Sequence, residues 1–229
     1  MEALEPRLLL SADIDYHPIP NPLASTEFTL SIVNSGGLKV RLVDGDGGVT
    51  ESAITAGDDG VINISSDTYG AGFGDTITID LDTLNLLNAF GDDITINFKG
   101  GLQDVVQDHL ILDGDAVLTV GLTINSGAHV SLIAGSSIAA DDVALNVAVT
   151  DTGLPGVGTD NDFAADSAAT LDVNGAIIAN NVTLTATSTL TLDNASLAIS
   201  TVQFAFILGH SEAAVNIGSG ADITMPMAH

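Results

Sequence analysis

The spacing of its β-type runs restricts this chain more than any other feature. From Phe28 onward, short segments alternate apolar with polar or small residues, and Gly, Asn or Asp separates them. Leu38–Val43, Val61–Ile64, Thr76–Ile79 and Ile94–Phe98 are early examples; Val143–Val147, Val182–Thr185, Leu190–Leu192 and Ala214–Ile217 are later ones. A two-residue period marks a strand with one buried face. Strands this short, renewed about every ten residues, either close a sandwich or wind into stacked coils.

Side-chain size separates those two outcomes. Hydrophobic residues make up 45% of the 229, yet aromatics supply only 4% and Trp is absent. The core is therefore built from Val, Ile, Leu and Ala, which stack like upon like without large rings, while Asn, Asp and Gly accept the left-handed conformations of sharp corners. The expectation is an all-β fold, with a parallel β-helix (solenoid) over residues 110–229 that continues past the last residue. Before it come an extended N-terminal arm over residues 1–27, rich in proline, and a β region over 28–109, for which a β-sandwich is the alternative. One short helix is expected at 82–90, where Leu84, Leu87 and Phe90 fall at helical spacing between an Asp82 N-cap and a Gly91 stop. Gln103–His109 is a further candidate turn.

Three internal similarities support a repeat. Gly74–Ile79 resembles Gly91–Ile96, Ile138–Leu145 resembles Ile177–Leu184, and Ile124–Ser131 resembles Ile217–Thr224. Their offsets share no common period, so the repeat is irregular.

Charge limits the partners. There are 30 Asp and Glu against four Lys and Arg, a formal net charge of -26, and no basic residue follows Lys99. Such a surface repels nucleic acid and anionic membranes, and its self-repulsion calls for counterions. Calcium is the expected cofactor. Cysteine is absent, so no disulfide or thiolate site holds the fold. No apolar run approaches the roughly 18 residues that would span a bilayer, and no cleavable signal peptide is visible.

The calcium candidates are Asp residues in Gly-rich turns: Asp44 with Asp46, Asp113 with Asp115, and Asp160, Asp162 and Asp166. Two carboxylates flanking a glycine let a turn aim several oxygens at one hard cation, although Asp and Gly are also ordinary turn formers. Neither an EF-hand nor the nonapeptide calcium repeat is present. His17, His109, His129, His210 and His229 are scattered without zinc spacing. There is no GxSxG elbow and no phosphate loop. A lyase acting on acidic sugars wants a base beside the substrate carboxylate, which a chain without late Lys or Arg supplies poorly. The expectation is that the chain is not an enzyme. The Thr183–Thr191 run has the T-x-T spacing of ice-binding strands, although threonine is common in strands generally.

Leu4-Glu-Pro-Arg-Leu-Leu-Leu-Ser-Ala-Asp13 resembles the LEPR-XLL motif over all ten positions, with Leu8 in the variable slot. The motif marks the N-terminal region of very large, repetitive bacterial proteins that resemble secreted adhesins with calcium-binding repeats. The resemblance implies a structural or adhesive module of a secreted, cell-surface bacterial protein, used in adhesion, matrix or filament assembly. Its implied partners are downstream repeats of the same giant chain, other copies of itself, or cell-surface glycans or proteins. A carbohydrate-binding or polysaccharide-degrading β-helix is the alternative.

Overall fold

The computed structural model describes residues 10–16, 27–56, 61–66, 76–89, 91–99, 108–153, 163–192 and 207–225. Strands dominate them and there is one short helix, so the fold is all-β. The chain enters through β1 (Leu10–Tyr16) and β2 (Glu27–Asn34), then makes an antiparallel excursion through β3 (Leu38–Asp44), β4 (Val49–Ala53) and β5 (Thr55–Ala56). Strands β6 (Val61–Ser66) and β7 (Thr76–Asp80) lead into helix α1 (Leu81–Leu84), which tightens into a 3₁₀ turn over Asn85–Ala89.

Strands then come in threes: β8 (Ile94–Lys99), β9 (His109–Asp113) and β10 (Asp115–Val117); β11 (Leu122–Ser126), β12 (His129–Leu132) and β13 (Ser137–Ala139). The same order follows in β14 (Asp142–Gly153), β15 (Phe163–Val173) and β16 (Ala176–Ile178), and in β17 (Asn181–Leu192), β18 (Ile207–Ile217) and β19 (Asp222–Thr224).

Each circuit gives one strand to each of three sheets. The first runs β17-β14-β11-β8-β6-β1-β5, the second β18-β15-β12-β9-β7-β2-β3-β4, and the third β10-β13-β16-β19. Pairing between circuits is parallel throughout; only β1–β5, β2–β3 and β3–β4 are antiparallel. The first two sheets thus run without a break from the N-terminal half into the C-terminal half.

The register puts like on like. In the first sheet Ile96, Ile124, Leu145 and Leu184 form one column. In the second, Ile77, Leu110, Val130, Leu171 and Val215 do so; in the third, Ala116, Ile138, Ile177 and Ile223. All but the last member of each column are buried, and they merge into one core. The two-residue period therefore works as the sequence pattern predicts: alternate side chains from three sheets meet in the middle.

Circuit length varies at the corner between the first two sheets and in the strands that flank it, from Leu122–Ser126 and His129–Leu132 to Asp142–Gly153 and Phe163–Val173. Residues 100–108, 127–128, 154–162 and 193–206 join the first sheet to the second, whereas 114, 133–136, 174–175 and 218–221 join the second to the third. The tight corner at Gly114 uses φ +94, which disfavours any side chain.

Two sequence expectations gain detail. Within the expected arm, Leu10–Tyr16 is a strand paired in parallel with β6; residues 1–9 and 17–26 lie outside the described residues. The helix begins one residue early, with Asp80 at the N-cap position, because β7 runs directly into it. Asp82 instead sits in the first turn. Leu81, Leu84 and Leu87 are buried as the helical spacing requires, while Phe90 lies outside the described residues. Of the second candidate turn, only Asp108 and His109 are described, and His109 opens β9.

Candidate functional site

The first Asp-Gly turn closes the β3–β4 hairpin. Oδ1 of Asp44 accepts the backbone N–H of Asp46 at 3.0 Å and of Gly48 at 2.6 Å. That carboxylate oxygen caps its own loop, the ordinary use of Asp in a turn. Asp46 is exposed beside it.

The second turn, Asp113-Gly114-Asp115, forms the corner between β9 and β10. Its acids face hydroxyls of the next circuit: Ser136 Oγ donates to Asp113 at 3.3 Å and Ser137 Oγ to Asp115 at 2.7 Å. Gly114 N–H donates to the buried Ser136 Oγ at 3.0 Å. Two further carboxylates stand close by. Asp80 is the register partner of Asp113, and Oδ1 of Asp82 accepts the N–H of Asp115 at 2.9 Å. Burial, then repulsion from Asp82 and Asp113, raises the pKa of Asp80 above the usual carboxylate value. Sequence reading missed Asp80 and took Asp82 only as a helix cap, because both are remote along the chain from Asp113; the parallel register brings them together.

Helix α1 and its 3₁₀ extension use side chains in place of a strand. Beside Asp82, Asn85 Oδ1 accepts Val117 N–H at 2.6 Å while its Nδ2 donates to Asp115 O at 3.3 Å. Asn88 Oδ1 accepts Thr119 N–H at 2.8 Å and its Nδ2 donates to Val117 O at 2.7 Å. Three residues of 3₁₀ helix rise about 6 Å and two residues of strand about 6.6 Å. Two carboxamides spaced by three along the 3₁₀ turn can therefore serve backbone groups spaced by two, at Val117 and Thr119, with Asp82 of α1 serving Asp115 before them.

Neighbouring circuits meet many other acids with neutral donors. Asn180 and Asn181 donate to Asp141 and Asp142 at 2.6 and 2.7 Å, and Asn216 donates to Asp172 at 2.8 Å. On the outward face of the first sheet, Asn63, Asn97, Asn125 and Asn146 hydrogen-bond in sequence at 2.9, 2.9 and 3.0 Å, and Thr185 ends the row on Asn146 at 2.6 Å.

Asp44 with Asp46 and Asp113 with Asp115 therefore occupy two separate turns, and one oxygen each of Asp44, Asp113 and Asp115 accepts from a protein donor. Asp160 and Asp162 lie outside the described residues; Asp166 sits in β15, opposite His210 of β18. Among the described residues, no three His, Asp or Glu side chains converge to hold a metal ion. Comparison with protein families, curated proteins and solved structures finds no match for the chain.

One titratable pair escaped the sequence reading. His109 and His129 are register partners on β9 and β12. His109 Nε2 lies 2.8 Å from Ser131 Oγ, and His129 Nδ1 accepts Thr170 N–H at 3.1 Å. Burial holds both below the ordinary histidine pKa; His129 lowers His109 further, while Asp172 works the other way on each. The Thr row stands on one strand: Thr183, Thr185, Thr187 and Thr189 are all exposed on β17, and their partners on β14 are Ala144, Asn146, Ala148 and Thr150. The T-x-T array therefore does not extend to the adjacent strand. Among the described residues, no helix is long and apolar enough to cross a membrane.

Proposed function

We propose that the chain is a parallel β-solenoid serving as a structural, adhesive module of a large secreted bacterial surface protein. The observation that carries this reading is the continuous parallel register, in which columns of Ile, Leu, Val and Ala stack through the core while an asparagine row follows them outside. A stack of this kind resists bending and separation through repeated small interactions and needs no cleft or reactive group. The ten-residue N-terminal resemblance supports the surface context.

Calcium is the proposed counterion of the acidic coat. Charge supports it more than geometry does, since Asn and Ser donors from adjacent circuits already relieve several stacked acids. Thermal unfolding with and without millimolar calcium tests the ion: a higher midpoint in calcium than in equimolar magnesium is expected, and identical midpoints would remove calcium from the reading. The structural role is tested by electron microscopy of the purified chain together with immunolabelling of producing cells. Rods on the cell surface are expected; globular particles or a cytoplasmic signal would reject the role.

A further inference from the structure

The three faces of the stack carry charge unequally. Outward positions of the second sheet include Asp80, Asp113, Asp172 and Glu212, and those of the third include Asp115 and Asp222. The first sheet differs. Its outward face holds two ranks of side chains that run across the strands: the asparagine row ending on Thr185 and, beside it, Thr95, Thr123, Ala144 and Thr183. From β6 to β17 neither rank contains a charged residue. Charges stand only at the margins: Asp13 of β1 in register with Asn63, Asp142 at the start of β14, and Lys99 at the end of β8. In a chain of net charge -26, this face lets a ligand approach without meeting a carboxylate.

The groups it offers are hydroxyls and carboxamides. An amide side chain has two N–H donors and an oxygen with two lone pairs. Asn97, Asn125 and Asn146 each spend one donor and one lone pair on their neighbours in the row, which leaves one of each per strand. Those neighbours also fix the amide, so a ligand does not have to order it. Strands lie about 4.8 Å apart and alternate residues about 6.6 Å apart along a strand, so the face is a flat grid of neutral donors and acceptors. Large apolar side chains, the usual anchors of protein partners, are elsewhere: Val117 and Ile178, exposed among the described residues, belong to the third sheet. An anionic polymer is repelled by the molecule as a whole, and a cationic one is drawn to the acid-bearing faces.

We propose that this face binds an uncharged polysaccharide, whose chain lies across the strands along the asparagine row and offers sugar hydroxyls to each amide in turn. An extended glycan advances, sugar by sugar, through a distance comparable to the strand spacing, so consecutive sugars meet consecutive circuits. The proposal rests on the adhesive reading and names the material to which the module adheres.

Affinity electrophoresis of the full chain through gels containing hydroxyethyl cellulose, galactomannan or dextran tests this, with alginate as the anionic control. Retardation by at least one neutral polymer and none by alginate is expected, with less than about a twofold change in affinity as ionic strength rises, because the contacts are uncharged. Thr123→Glu puts a carboxylate on the grid outside the amide row, and Asn125→Asp puts one within it; each should weaken binding about tenfold or more with circular dichroism unchanged. Val117→Glu, on the third sheet, should leave binding intact. No retardation by any neutral polymer, stronger retardation by alginate, or equal loss in Val117→Glu would overturn the proposal. Thermal hysteresis that Thr123→Glu abolishes, without glycan retardation, would overturn it in favour of ice. Rods displayed on cells without glycan binding would reject this site alone, whereas glycan binding by globular particles absent from the cell surface would keep the site and reject the adhesive reading.

Discussion

The middle circuits and the last circuit use the same kinds of residue in the same register, yet they differ in how much each side chain is worth. Ile124 lies between Ile96 and Leu145 and is fully buried; Leu184, one column step further, has a register partner on one side only among the described residues and is partly exposed. A stacked architecture gains its energy from neighbours, so position in the stack decides what a residue contributes.

That contrast is most easily broken by truncating the core. Ile124→Ala should cost about 2–5 kcal/mol, the usual range for a fully buried aliphatic residue, and the same truncation at Leu184 should cost less than about half as much. Denaturant melts of both variants check this; equal losses would mean that the last circuit is as well covered as the middle ones. The next largest difference lies in the amide row. Asn125→Ala leaves Asn97 Oδ1 and Asn146 Nδ2 without their partner in a half-buried row and should cost about 1–3 kcal/mol. Thr185→Ala removes only the terminal bond of the row and should cost about 1 kcal/mol or less.

The histidine pair sharpens the comparison through pH. Both folded-state pKa values lie below the unfolded value, so the unfolded chain binds protons more readily. The stability associated with the pair is complete above about pH 6.5 and declines as the pH falls through that value toward the folded-state pKa. Protonation at His129 Nδ1 would also break its bond from Thr170 N–H. Unfolding midpoints between neutral and mildly acidic pH should show the loss, and His109→Gln with His129→Gln should flatten it. The smallest effect is expected at Asp80. Its pKa is raised, so its charge opposes folding above the carboxylate range, and Asp80→Asn should raise the melting midpoint slightly at neutral pH. A lower midpoint would mean that the carboxylate is needed where it stands.

How legible all this was depended on which residues meet. The two-residue period and small aliphatic core correctly indicated an all-β chain. Of the three internal similarities, the pairing of Ile138–Leu145 with Ile177–Leu184 is a true circuit repeat, since those segments stack in register across β13–β14 and β16–β17. The other two are not. Thr76–Ile79 lies in the second sheet and Ile94–Ile96 in the first, while Ile124–Ser131 turns a different corner from Ile217–Thr224. Similar strings recur because every strand and corner solves a similar local problem, and one-dimensional similarity cannot tell which side of the stack a string occupies. The Asp-Gly turns were visible as turns. Their engagement with Ser136 and Ser137 was not, and neither were Asp80, the place of Asp82 beside Asp115 and the His109–His129 pair. Each of those depends on register between circuits of unequal length.

The unequal corners carry a practical meaning. The connections from the first sheet to the second range from two residues, 127–128, to fourteen, 193–206, and the ladders on either side stay in register across them. Doubling such a connection costs only about 0.6 kcal/mol in closure entropy. That edge of the molecule is a natural port for grafting peptides, tags or whole domains, displayed in a row by a scaffold indifferent to what it carries.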